Sequence, residues 1–203
     1  MVTADLNVLH KNPAELGNQP EKEAIVLVIL NKKGQILLGQ EKAGDPTTGR
    51  KPGQYNLVTE TIETEKGEGR IPTIYAAIKE ELSNSSKLFT ELLMNLRLVR
   101  ETVYVANFGL AKEKPSRATL MVLRYLGDPE GKPPFQPGDT QEIETHQWTD
   151  FREIASLREK DQLAPSVYEY LDRLQTEGWI CPYQEGEPHI ELPFRDYEKI
   201  RNS

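Results

Sequence analysis

Residues Ala24–Leu30 read AIVLVIL, seven apolar positions without a break and dominated by β-branched side chains. Such a run does not alternate, so it cannot be a strand with one wet face. It predicts a strand covered on both faces, which demands a sheet with layers packed on either side. The run is also far too short to span a bilayer. Asn31-Lys32-Lys33-Gly34 is a turn, and Gln35–Gln40 a second strand, so 24–40 reads as a hairpin with a short Gly-containing loop.

Further along, Tyr55–Val58 is strand-like, and a polar, turn-rich stretch follows it. Pro72 then fits the first turn of a helix, where its missing N–H matters little. Ile71, Ile74, Tyr75, Ile78 and Leu82 recur at spacings of three and four, an apolar stripe along one helix face. Ser83–Ser86 ends it, and 87–95 is a candidate second helix. Leu96–Ala106, Thr119–Leu126 and Glu142–Trp148 are strand candidates, with Val103, Val105, Met121 and Leu123 inward. Asp150 is placed to cap a helix over 151–157. A stronger helix is expected from Pro165 to Gly178, with Val167, Tyr168, Leu171 and Leu174 inward. Two Gly/Pro-rich loops, 42–54 and 127–140, separate these elements. Strands mixed with helices in this order predict a layered α/β or α+β domain.

Composition excludes several function classes. Net charge is −7, which argues against broad nucleic-acid binding but leaves room for a small nucleotide whose phosphates a metal neutralises. Cys181 is the single cysteine, so there is no intrachain disulfide and no cysteine-based zinc site. The polar first 22 residues do not read as a signal peptide. A cytoplasmic protein with no membrane association is the expectation. His10, His146 and His189 are isolated, lack metal spacing and read as structural or exposed.

The chemistry-bearing segment is Glu68–Ser83, EGRIPTIYAAIKEELS, with adjacent carboxylates Glu80 and Glu81 on the helix. Oxygen ligands on one helix face, three or four residues apart, are what a Mg²⁺ site wants. This segment resembles the Nudix box, G-x5-E-x7-R-E-U-x-E-E-x-G-U with U aliphatic. In a gapless register Glu68 takes the first Glu, Ile78 the aliphatic position, and Glu80-Glu81 the pair. Ala76-Ala77 then stand in place of Arg-Glu, and Ile62 in place of the first Gly. A second register matches Lys79 to the Arg and Glu80 to the first helical Glu, which moves the pair onto Ser83 and Asn84. It also sets Glu81 on the apolar stripe, so the gapless register is favoured. The leading hairpin, the Tyr-x-Leu strand and EIETHQWTDFREI (Glu142–Ile154) follow the order expected of this superfamily.

The resemblance implies a Nudix-like α/β/α sandwich with a mixed sheet, over about residues 22–178. Residues 1–21 form a polar lead-in and 179–203 an aromatic, Pro-containing extension. It implies a hydrolase that cleaves a pyrophosphate bond in a nucleoside diphosphate derivative with Mg²⁺ or Mn²⁺. Glu80, Glu81 and Glu68 would hold the metal, and Glu81 and Glu80 would be catalytic. Arg50, Lys51 and Tyr55 are candidates for substrate binding, the cations for phosphate and Tyr55 for a base. The alternative is a degenerate Nudix domain that senses a nucleotide or scaffolds a partner. The extension is expected to pack on the domain or to contact a second copy or another protein.

Overall fold

The computed structural model describes residues 23–45, 49–62, 69–106, 116–127, 134–137 and 142–192. The buried run becomes β1 (Glu23–Leu30), and β2 (Ile36–Glu41) returns antiparallel to it through the Asn31–Gly34 turn. The Asn31 side chain organises that turn by accepting the N–H groups of Lys33 and Gln35 at 2.9 and 3.0 Å. Two short strands follow, β3 (Tyr55–Asn56) and β4 (Val58–Thr61), where one strand was expected. They part at Leu57 because β3 pairs with β2 whereas β4 crosses to pair with β1.

The apolar stripe forms α1 (Arg70–Leu82), with Pro72 in its first turn as expected. Next comes α2 (Ser86–Asn95), capped by the Ser85 hydroxyl, which accepts the Leu88 N–H. The chain continues through β5 (Leu96–Ala106), β6 (Ser116–Tyr125), β7 (Ile143–Thr149), α3 (Phe151–Glu159), α4 (Val167–Thr176) and β8 (Ile190–Glu191). All eight strands belong to one mixed sheet, ordered β3-β2-β1-β6-β5-β8, with β4 on β1 and β7 on β2. The β1–β6 pair is parallel and the other pairs are antiparallel.

Both faces of β1 are covered, as the unbroken run demands. Ile25, Leu27 and Ile29 pack with Ile74, Ile78 and Leu82 of α1 and with Leu92 and Leu93 of α2. Val26, Val28 and Leu30 pack with Ile154 of α3 and with Val167, Leu171 and Leu174 of α4. Each such buried aliphatic side chain contributes about 1.5–3 kcal/mol. The result is an α/β/α sandwich, α1 and α2 on one side and α3 and α4 on the other.

Three details differ from the expectation. The last helix begins at Val167, because Ser166 has φ +73°, outside the helical region. Tyr170 is its buried tyrosine, whereas Tyr168 is half-buried under the Arg158 guanidinium at 4.0 Å. Asp150 precedes α3 without capping it by its side chain, which accepts instead from Gln35 at 3.3 Å. Met121 and Leu123 are buried as expected and Val103 is half-buried, while the Val105 side chain lies outside the described residues.

Residues 179–192 pack on this same sandwich. Arg124, 1% exposed, donates to both Glu187 carboxylate oxygens and to the Cys181 carbonyl at 2.7 Å, and β8 pairs with β5. Gly34 permits the approach, since a Cβ there would stand 2.7 Å from the Cys181 backbone. Residues 193–203 lie outside the described residues. Among the described residues no helix is long and apolar enough to cross a membrane.

Candidate active site

Helix α1 lies over the sheet with Ile78 and Leu82 fully buried. One turn of helix separates residues four apart, so Glu81 sits directly beyond buried Ala77, at the margin of the apolar stripe. Its side chain turns toward β4 and accepts the Thr59 backbone N–H at 3.1 Å. Burial pushes the Glu81 carboxyl up from 4.5 to about 8. The Thr59 hydrogen bond and the Arg50 charge offset part of that rise, whereas Glu60 and Glu41 add to it. Glu80, the next residue, points to solvent and is exposed. The two carboxylates therefore face different surroundings rather than converging. Glu68, and with it Glu63 and Glu65, lies outside the described residues.

The neighbouring wall is built by β2 and β3. Glu41, at the end of β2, is buried, and its Oε1 accepts both Arg50 Nη1 at 3.1 Å and Asn56 Nδ2 at 3.0 Å. Backbone hydrogen bonds among the described residues on either side of 46–48 bring Arg50 to Glu41. Asp45 and Arg50 exchange N–H···O bonds, and Glu41 does the same with Gly53 and Gln54. Arg50 thus does stand near Glu81, tied to Glu41. Lys51 is on the outside of the loop, paired with Asp161. Tyr55 packs into the cluster beneath α3 and α4, on the other face of the sheet from α1.

A divalent ion asks for several oxygen ligands at one point. Among the described residues no three His, Cys, Asp or Glu side chains stand so. Glu81 is engaged with Thr59, Glu41 with Arg50 and Asn56, and Glu80 faces outward. The described residues therefore do not by themselves fit a metal.

One residue of this region, which reads from the sequence as structural or exposed, is buried. His146, on β7, is 5% exposed, and among the described residues neither ring nitrogen has a hydrogen-bond partner. It lies opposite Gly39 of β2, on the α1 side of the sheet, with Phe135 edge-on at 6.2 Å. Strand alternation alone could have marked it inward, together with Trp148.

The layered mixed sheet with a carboxylate-bearing helix on one face defines an α/β/α sandwich, and its solved neighbours narrow the fold. The Nudix domain of Shewanella oneidensis NrtR, complexed with ADP ribose, is similar with a TM-score of 0.53 at 11% identity, over 87% of this chain and 99% of that one. The MutT protein of Methanosarcina mazei matches with a TM-score of 0.52 at 16% identity, over 79% and 97%. A bifunctional NMN adenylyltransferase/ADP ribose pyrophosphatase of Francisella tularensis, complexed with AMP and a manganese ion, matches with 0.54 at 14%, over 81% of this chain. This chain spans 44% of that enzyme's length. No family model and no curated protein matches the sequence. The chain has the Nudix fold, as the resemblance of its box and strand order implied.

Proposed function

We propose that this chain is a Nudix-type pyrophosphohydrolase acting on a nucleoside diphosphate derivative. The observation that carries the reading is the Glu81 carboxyl, set between α1 and β4 beside the Glu41–Arg50–Asn56 network. A carboxyl held between α1 and β4 by a backbone N–H has a fixed position, and in its ionised form, which prevails above about pH 8 in the metal-free protein, it can take a proton from an attacking water. Arg50 is the cation nearest to the diphosphate in this reading, and Glu80 is the solvent-facing carboxylate of the pair.

The reading keeps Mg²⁺ or Mn²⁺ as cofactor, with Glu80, Glu81 and Glu68 as the proposed carboxylates. The manganese ion and AMP of the Francisella neighbour, and the ADP ribose of the Shewanella domain, support placing ADP-ribose first among substrates to try.

A second reading has its own support. Glu81 is engaged with Thr59, and Ala76-Ala77 replace the Arg-Glu of the box, which suits a nucleotide-binding domain without turnover. One experiment separates the two. The protein is incubated with Mg²⁺ or Mn²⁺ and ADP-ribose, nucleotide-sugars, dinucleoside polyphosphates and nucleoside triphosphates. Hydrolysis that Glu81→Gln abolishes supports the enzyme. Nucleotide-induced thermal stabilisation without any hydrolysis supports the binder.

A further inference from the structure

A buried imidazole with no partner for its nitrogens is uncommon, because each unsatisfied polar group opposes folding. His146 is such a group, with no partner for either nitrogen among the described residues and the ring almost wholly enclosed. Its walls are apolar. Phe135 lies edge-on to it and to Trp148, at 6.2 and 5.6 Å. Gly39 faces it across the β2–β7 ladder, where a Cβ would come 3.5 Å from the ring and 3.2 Å from Ile143.

Two routes tie this niche to Glu81. Along β2, Gly39 is followed two residues later by Glu41, whose charge acts on Glu81. Through the loop, Phe135 is followed by Gln136, whose N–H donates to the Leu82 carbonyl at the end of α1. The niche and the carboxyl therefore share one side of the sheet.

We propose that His146 reads the nucleobase of the bound nucleotide, hydrogen-bonding its polar edge inside this aromatic-walled niche. The proposal rests on the nucleotide reading given above. Three properties select a base over the other parts of a nucleotide. A phosphate wants a cation, and the apolar surroundings of His146 keep its ring neutral at physiological pH. A neutral imidazole offers one donor and one acceptor, which match the mixed donor and acceptor edge of a base. Phe135 and Trp148 offer the aromatic surface that a flat heterocycle covers well. Phe135 is 4% exposed and covers the His146 ring in this structure, so the proposal requires that a bound base displace it.

The test uses the full chain, labelled with ¹⁵N-histidine and kept in EDTA. It is titrated with AMP, GMP, CMP, UMP and, as a probe without a base, ribose 5-phosphate. The proposal expects the His146 ring nitrogens to shift with one nucleotide and not with ribose 5-phosphate. His146→Phe should weaken that nucleotide at least tenfold and level the preference among bases. His146→Gln, which keeps a donor and an acceptor, should retain most of the affinity. Unmoved ring resonances at saturation, or a folded His146→Phe with unchanged affinity, would overturn it. If ADP-ribose is hydrolysed with Mg²⁺ but His146→Phe changes neither its hydrolysis nor the binding of any nucleotide, this proposal fails and the hydrolase reading stands. If no nucleotide binds the wild-type chain with or without Mg²⁺ and no diphosphate of the substrate panel is hydrolysed, both fail.

Discussion

The Glu81 carboxylate oxygen accepts the Thr59 backbone N–H at 3.1 Å, joining the end of α1 to β4 across 22 residues of sequence. Burial raises the Glu81 carboxyl to about 8 despite that bond. The unfolded chain ionises it near 4.5, so between these values the folded state holds a proton that the unfolded state has lost. Its contribution to stability is full below pH 4.5 and is lost as pH rises to about 8, by at most about 1.4 kcal/mol per pH unit. In EDTA, Glu81→Gln should remove this slope and be the more stable protein at pH 8. Urea melts of both proteins from pH 5 to 8 check it.

Arg50 is the charge that compensates buried Glu41. Arg50→Ala leaves that carboxylate with Asn56 alone. The side chain of Arg50 is 23% exposed, so water reaches part of the gap. The expected loss is about 1–3 kcal/mol. Arg50→Lys should recover part of it, since an ammonium supplies the charge without the planar fork. Chemical denaturation of the three proteins is the measurement.

Arg124 holds the 179–192 segment to the sheet through Glu187 and the Cys181 carbonyl. Arg124→Met keeps the volume and removes every donor. Glu187 is partly exposed and is rehydrated when the segment lifts, so the expected loss is about 2–4 kcal/mol, below that of a fully buried pair. Limited proteolysis should then cut between Pro182 and His189 at enzyme levels that leave the wild type intact. Equal resistance of the two proteins would show that β8 and Leu192 suffice to hold the segment.

His146 gives the opposite pH response from Glu81. Burial lowers its pKa from 6.5 to about 4. Between these values the unfolded chain takes up a proton that the folded chain refuses. The stability it contributes is present above pH 6.5 and is lost as pH falls toward 4, by at most about 1.4 kcal/mol per unit. His146→Phe should flatten that acid limb. Thermal melts from pH 7 to 4.5 read the difference directly.

What was legible in the sequence was what local pattern governs. AIVLVIL requires two covered faces, and β1 has them. The Ile74, Ile78 and Leu82 spacing requires a buried helix face, and α1 presents it. Tyr170 belongs to the same spacing of three and four from Val167 as Leu171 and Leu174, whereas Tyr168, the next residue after Val167, is turned about 100° away from that face. The site was less legible. Glu80 and Glu81 are neighbours in the chain, yet 100° of helical rotation sends one to solvent and the other onto β4. The Glu41–Arg50 pair depends on a loop that folds back on itself. His146 is covered by Phe135, which the sequence sets in a Pro/Gly-rich stretch without periodicity.

The central claim is that the Glu81 cleft promotes attack of water on a diphosphate. Single-turnover incubation with ADP-ribose and Mg²⁺ in ¹⁸O-labelled water, read by mass spectrometry of the products, tests it most directly. The account predicts one ¹⁸O in one product phosphate with the wild-type protein and none with Glu81→Gln. Unlabelled, intact ADP-ribose with wild-type protein, or equal labelling by the variant, would contradict it.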